Sequence, residues 1–277
     1  MKLYKAHGLG NDYLVLEDGA PLDPALVVAI CDRHRGVGGD GILEPFDAGA
    51  DADYGVRIWN PDGSVAEKSG NGLRIFARWL VAERGAPRQF SLWTGSCRVS
   101  CDVEAESIVV DMGDASFEPA DVPVSAAAPL IDGELALSSG VLTVTAVGLG
   151  NPHCVVFRTE PLESLPFRAW GAEIERHPRF PNRTNVQLAR VLARRVVEIL
   201  IWERGAGETL ASGSSSCAVA AAGVRTGRLD PGRIEVRMPG GTLWVTVSGA
   251  SLRLEGPVER VARIEVEPEW LLARAGR

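Results

Sequence analysis

The sequence predicts an α+β protein made of two similar halves, each a sheet wrapped around a central helix. Three observations lead there. Short β-branched or alternating stretches, many bounded by turn residues, dominate the 277-residue chain, as half-buried strands do. One helical stretch is so rich in alanine that strands can pack close on every side. A pattern of Ile-Trp followed by Ser-Gly and a helix occurs twice.

The strand-like stretches are Tyr13–Glu17, Val56–Trp59, Ser107–Asp111, Val141–Val147, Cys154–Phe157, Val196–Trp202, Ile234–Arg237, Leu243–Val247 and Ser251–Leu254. Three stretches read as helices. Pro24–His34 opens on a proline, suited to a first helical turn. Asn71–Arg84 sets Leu73, Phe76, Ala77, Leu80 and Val81 on one stripe and stops at Gly85, a residue that favours helix C-termini. Ser214–Arg225 is the alanine-rich one, with Cys217, Ala220, Ala221 and Val224 on one face.

The repeat is ordered. Ile58-Trp59 recurs as Ile201-Trp202 and Ser69-Gly70 as Ser212-Gly213, with an offset of 143 in both cases. Earlier in each half Gly8-Leu9-Gly10-Asn11 recurs as Gly148-Leu149-Gly150-Asn151, offset 140. Two matches in one order at nearly one offset point to internal duplication. The halves are expected at 1–117 and 118–262, with the divide in the Pro/Ala-rich stretch Phe117–Leu130.

Composition narrows the function. Net charge is −7, which argues against nucleic acid or an anionic membrane surface as partner, since both demand concentrated positive charge. No apolar run approaches the roughly 18 residues of a membrane helix, and Met1–His7 has no signal-peptide core. Five cysteines, an odd count, favour a reducing cytoplasm. Cys97 and Cys101 lack a second pair or a nearby histidine, so no zinc site is expected. Only Lys2, Lys5 and Lys68 are lysines, which leaves few anchors for pyridoxal phosphate. Gly36-Val37-Gly38-Gly39-Asp40-Gly41 satisfies a dinucleotide-binding spacing. It follows a helical stretch instead of a strand, so it is set aside. No metal and no cofactor is expected.

The chemistry centres on the two Ser-Gly steps. A helix N-terminus leaves backbone N–H groups unpaired and carries partial positive charge, a natural anion site. The ends at Gly70-Asn71 and Gly213-Ser214, facing each other across a cleft, could hold one carboxylate. Ser69 and Ser212 would then flank the carbon that bears it, one on each face, as stereoinversion requires. Alternatively, both serines are helix caps and nothing more.

These and further motifs resemble those of the diaminopimelate epimerase family: His7–Asp12, Asp32–Gly41, Asn60–Ser64, Gly70–Gly72, Gly150–Cys154, Phe180–Asn185, Glu203–Thr209 and Met238–Gly241. They occur in the family's order and cover nearly the whole chain. The resemblance implies a two-domain fold with the active site in the cleft between the halves. Residues 263–277 are expected to return to the N-terminal half. It also implies cofactor-independent epimerisation of LL-diaminopimelate to the meso form, for lysine and peptidoglycan synthesis, in a cytoplasmic homodimer whose cleft closes over the substrate. By that resemblance Asn11, Asn60, Asn151, Asn185, Glu203 and Arg204 read the substrate's distal end. Gly70, Asn71, Gly213 and Ser214 hold the α-carboxylate, and His153 and Glu203 lie near the reacting centre.

One departure matters. The family's two catalytic positions are cysteines, and they match Ser69 and Ser212. A thiol ionises near pH 8.5 and a serine hydroxyl several units higher, at about 1.4 kcal/mol per unit. The serines then need an activator, for which His153, Glu203 and the helix ends are candidates; Lys68 should point away. Three readings accommodate them: a Ser/Ser epimerase, an isomerase of another small amino or carboxylic acid, or a catalytically silent form, natural or deliberately disarmed, that binds diaminopimelate.

Overall fold

The computed structural model describes residues 1–274. The chain forms two compact units. One is Met1–Val110 together with residues 256–274; the other is Asp111–Glu255.

The first unit begins with β1 (Lys2–Gly8) and β2 (Asn11–Leu16), followed by α1 (Pro24–Cys31), β3 (Ile42–Phe46), β4 (Tyr54–Trp59) and β5 (Val65–Ala66). Then come α2 (Gly70–Arg84), β6 (Gln89–Trp93), β7 (Arg98–Val103) and β8 (Ile108–Asp114). β1 and β2 form an antiparallel hairpin, and α1 carries the chain to β3, parallel to β2. β3 and β4 are antiparallel, and α2 crosses over to β6, parallel to β4. β6, β7 and β8 form a meander.

The second unit repeats this plan after one added strand, β9 (Gly133–Leu137). β10 (Gly140–Gly148) pairs antiparallel with β11 (Pro152–Arg158), and α3 (Phe167–Glu175) leads to the parallel β12 (Asn185–Ala193). β13 (Val196–Glu203), β14 (Gly207–Thr209), α4 (Gly213–Arg225), β15 (Gly232–Met238), β16 (Gly241–Ser248) and β17 (Ser251–Gly256) follow. β13 is antiparallel to β12 and parallel to β15. Each unit therefore contains two parallel crossovers, each made through a helix. The extra strand also has a counterpart. β9 pairs with β10, and β18 (Glu259–Glu265), which precedes α5 (Pro268–Leu272), pairs with β1.

α2 and α4 are the central helices. Gly70–Ala77 of α2 is buried without interruption, against β1, β2 and β7. α4 buries Ser215–Gly223 against β10, β11, β12, β15 and β16. Its alanines let five strands approach one helix. α2 ends at Gly85 in a left-handed conformation, φ 66°, which glycine adopts without strain.

Some elements differ from the sequence reading. α1 stops at Cys31, three residues before His34, because the Asp32 side chain accepts hydrogen bonds from the His34 and Arg35 N–H groups and turns the chain out of the helix. α3 lies in a stretch that the sequence does not mark as a helix. Its apolar positions Phe167, Trp170 and Ile174 do follow helical spacing and are buried.

Gly36 packs where α1 ends. A Cβ there would lie 2.1 Å from the Ala29 carbonyl oxygen and 2.7 Å from that of Ile30. Gly36→Ala should lower stability by about 2–4 kcal/mol, as overpacking against backbone does. Gly49→Ala, in open space at φ 57°, should cost only about 1 kcal/mol for the left-handed backbone. Urea midpoints of the two variants test the difference, and equal midpoints would refute it.

Candidate active site

In the first unit the site grows from β2 and the start of α2. Ser69 caps α2: its Oγ accepts the Gly72 N–H at 3.1 Å. The N–H groups of Gly70 and Asn71, in the same first turn, have no intrahelical carbonyl to pair with. Alternation along β2 puts Asn11 and Tyr13 on one face, and both meet this turn. Tyr13 Oη lies 3.0 Å from Ser69 Oγ, and Asn71 Nδ2 donates to Asn11 Oδ1 at 3.0 Å.

A hydrogen-bonded line fixes the two amides. Arg74, fully buried, donates to Asn71 Oδ1 at 2.7 Å and to the Gly70 carbonyl at 3.2 Å. Asn11 Nδ2 donates to Asp40 Oδ2 at 2.8 Å. Arg33 bridges Asp40 and Asp12, each at 2.6 Å, and Lys5 reaches Asp12 at 2.9 Å. A guanidinium only donates and a carboxylate only accepts. The Oδ1 atoms of Asn71 and Asn11 must therefore point toward Arg74 and the Nδ2 atoms toward Asp40. Burial alone would raise the Asp12 carboxyl, but hydrogen bonds from Arg33 and Lys5 outweigh it and hold it below the ordinary range. Asn60 sits in the β4–β5 turn, where its amide donates to Ser64 Oγ at 2.9 Å.

In the second unit Ser212, 4% exposed, caps α4 more loosely. Its Oγ is 3.5 Å from both the Ser215 N–H nitrogen and Ser214 Oγ. Ser215 Oγ accepts from Gln187 Nε2 at 2.9 Å, and the same nitrogen lies 3.0 Å from His153 Nδ1. His153 Nε2 lies 3.0 Å from Asn151 Oδ1. With Gln187 donating to Nδ1, the imidazole proton belongs on Nε2 and is donated to Asn151. Burial, and then the positive charge of Arg204, push His153 down to about 3. The ring is neutral near pH 7, wholly buried, and engaged at both nitrogens.

Asn185 is a brace. Its Nδ2 donates to the Pro152 carbonyl at 2.9 Å and its Oδ1 accepts the Arg204 N–H at 3.0 Å. Glu175 supports the same loop from below, accepting Gly205 N–H at 3.0 Å and Trp202 Nε1 at 2.8 Å. Arg204 is thus an exposed guanidinium on a fixed backbone, and Glu203, half-buried, ends β13 beside it.

The structure groups Ser69, Gly70, Asn71 and Asn11 in one unit. In the other it groups Ser212, Gly213 and Ser214, links Asn151 to His153, and joins Asn185 to Arg204. Asn60 bonds only within its own turn among the contacts seen. Tyr13, Asp40, Arg74, Glu175 and Gln187 were not singled out in the sequence. The available signals are the two-residue spacing of Asn11 and Tyr13 and the matching two-residue spacing of Asn185 and Gln187 in an otherwise mostly apolar strand. Asp40 lies within the glycine-rich stretch Gly36–Gly41, and Glu175 lies at the end of α3. Among the described residues no group of three or more His, Cys, Asp or Glu side chains could hold a metal ion, and no helix is long and apolar enough to cross a membrane.

Comparison with known proteins follows the same division. The profile of the family described as diaminopimelate epimerase matches residues 3–118 and again 145–261. A Nostoc protein named diaminopimelate epimerase 2 is 42% identical over 97% of this chain and 96% of its own length. A diaminopimelate epimerase of Desulforudis audaxviator is 41% identical over 94% and 97%. Among solved structures, a "predicted epimerase" from Pseudomonas aeruginosa matches with a TM-score of 0.70 at 21% identity, covering 96% of this chain and 98% of that one. A hydroxyproline epimerase from Agrobacterium vitis matches at 0.69 and 17%, covering 97% and 94%. At such identities these two show the fold: α+β, in two similar halves.

The buried imidazole predicts a pH response. Unfolding frees His153 to protonate near pH 6.5, whereas the folded ring resists until about pH 3. The unfolded state then binds the extra proton, so this group's contribution to stability falls as pH drops through that window. His153→Gln should make stability less steeply dependent on pH between about pH 6.5 and about pH 4. Urea unfolding measures this, and an unchanged slope would count against the neutral buried ring.

Proposed function

We propose, for a chain that belongs to the diaminopimelate epimerase family, that it epimerises LL-diaminopimelate to the meso form without a cofactor, by moving the α-proton. The observation that carries this is the serine-capped N-terminus of a buried central helix, present once in each half. Epimerisation needs one group to take the α-proton from one face and another to return a proton to the opposite face. Ser69 and Ser212 supply one such group per half.

The N–H groups of Gly70, Asn71, Gly213 and Ser214 would receive the α-carboxylate. That carboxylate gains charge as the proton leaves, so donors fixed in advance favour the transition state over the bound substrate. Arg204 would take the distal carboxylate, and Glu203 with Asn11, Asn60 and Asn151 the distal ammonium. In this reading His153 and Asn185 position Asn151 and the Arg204 loop, and neither carries the α-proton. The buried, fully engaged state of His153 supports that assignment. The same reading makes the protein a cytoplasmic homodimer serving lysine and peptidoglycan synthesis.

The test is deuterium uptake at the α-carbon of LL-diaminopimelate in heavy water, followed with meso product. The protein should exchange and epimerise, and Ser69→Cys/Ser212→Cys should do so on the order of tenfold faster or more, since a thiol is the stronger acid. If only the cysteine pair works, the chain is a binder with a disarmed site. If neither works, the substrate assignment fails.

A further inference from the structure

We infer that Tyr13 is a positioning residue for the reaction and that its phenol exchanges a proton with the Ser69 hydroxyl, giving serine the acidity it lacks. This rests on the reading of Ser69 as an acid–base group. The two oxygens are 3.0 Å apart, and Tyr13 is 6% exposed. Ser69 Oγ also accepts the Gly72 N–H, so a negative oxygen there would have two donors.

The ring is held in place from several sides. β2 pairs Tyr13 with Ala6 of β1, and the next residue, Leu14, donates its N–H to the Gly41 carbonyl at 3.0 Å. A Cβ on Gly41 would come within 2.7 Å of Tyr13 Cε1 and 2.3 Å of the Trp59 carbonyl oxygen. Glycine at 41 therefore makes the room in which the ring lies. Asn11, two residues earlier on the same strand face, is fixed to Asn71 of the same helix turn. The phenol thus reaches Ser69 from a braced strand.

The proton count closes. When Ser69 protonates the α-carbanion, the carbanion's electron pair forms the new C–H bond and the Ser69 O–H bond breaks. The Tyr13 proton moves to Ser69 Oγ, and a phenolate remains. In reverse, Ser69 Oγ takes the α-proton while its own proton returns to the phenolate. A phenol ordinarily ionises near pH 10, far closer to a thiol than an alcohol is. In the second unit the hydroxyl beside Ser212, among the described residues, is that of Ser214, at 3.5 Å.

Tyr13→Phe removes only the hydroxyl. It should lower kcat for α-proton exchange on the order of tenfold or more with KM within about twofold, and leave the urea midpoint nearly unchanged. In a Ser69→Cys background, where the thiol brings its own acidity, the same change should cost less than about threefold. A purely structural role would cost both backgrounds alike and overturn the inference. A second readout does not depend on turnover. The thiol introduced by Ser69→Cys, followed by peptide-resolved alkylation to separate it from the five native cysteines, should react about twofold more slowly near neutral pH once Tyr13→Phe removes the donor that stabilises its thiolate. An unchanged alkylation rate overturns the inference whatever the exchange assay gives. A slowed thiol in a protein whose parent form does not exchange overturns the epimerase reading, and with it the relay, while leaving the Tyr13–Ser69 hydrogen bond in place.

Discussion

The first turn of a buried helix presents N–H groups that no carbonyl of that helix can satisfy. The rest of this structure depends on that constraint, met twice. α2 and α4 must lie inside sheet to bury their apolar faces, yet each carries a polar end into the interior. A serine at each N-cap meets part of the demand, with Gly72 N–H bound to Ser69 and Ser215 N–H near Ser212. The remaining donors are the groups that, on the proposed function, would receive the substrate's carboxylate.

Side chains around such an end have to be aimed as well as present. In the first unit this falls to a line of charges with amides inside it: Arg74, Asn71, Asn11, Asp40, Arg33. An amide can turn over at little cost unless its neighbours accept only one orientation. Here a donor-only group stands at one end and an acceptor-only group at the other, so both amides are set before any ligand arrives. Gly8 belongs to the same device, since a Cβ there would stand 3.0 Å from the Arg74 guanidinium. In the second unit neutral groups do comparable work, with Gln187 tying His153 to Ser215 and His153 orienting Asn151.

Much of the frame was legible because duplication repeats its punctuation. The Ser-Gly steps at 69 and 212 mark the starts of both central helices, and the Gly-Leu-Gly-Asn turns lie at the β1–β2 and β10–β11 corners. Strands with strict alternation, such as β16 and β17, could be read directly. Others could not. β6 is buried at Phe90, Ser91 and Leu92 in succession and shows no two-residue rhythm, and β18 alternates only between exposed and half-exposed positions. The candidate site was legible in residues that announce chemistry by type, and illegible in those that act by contact. Tyr13 looks like a core aromatic and Glu175 like one more surface acid until the fold puts the first beside Ser69 and the second, 3% exposed, under the Arg204 loop.

The repeat also shows where the halves have parted. Tyr13 and His153 stand at the same spacing after Asn11 and Asn151, 140 residues apart. In one half that position turns its polar atom onto the capping serine. In the other it turns away, to Asn151 and Gln187, and Ser212 is left with longer contacts. A duplicated frame supplies two equivalent places for a proton donor, but it does not require equivalent chemistry. The substrate's α-carbon presents a proton on one face and an electron pair on the other, and the two configurations of the carbon exchange these roles. Each group must serve as acid in one direction and as base in the other, so what has to match across the halves is proton affinity. On the proposed relay Ser69 gains from a phenol and a backbone N–H, whereas Ser212 stands at a helix end where Gln187 ties the Ser215 hydroxyl to a buried, neutral imidazole.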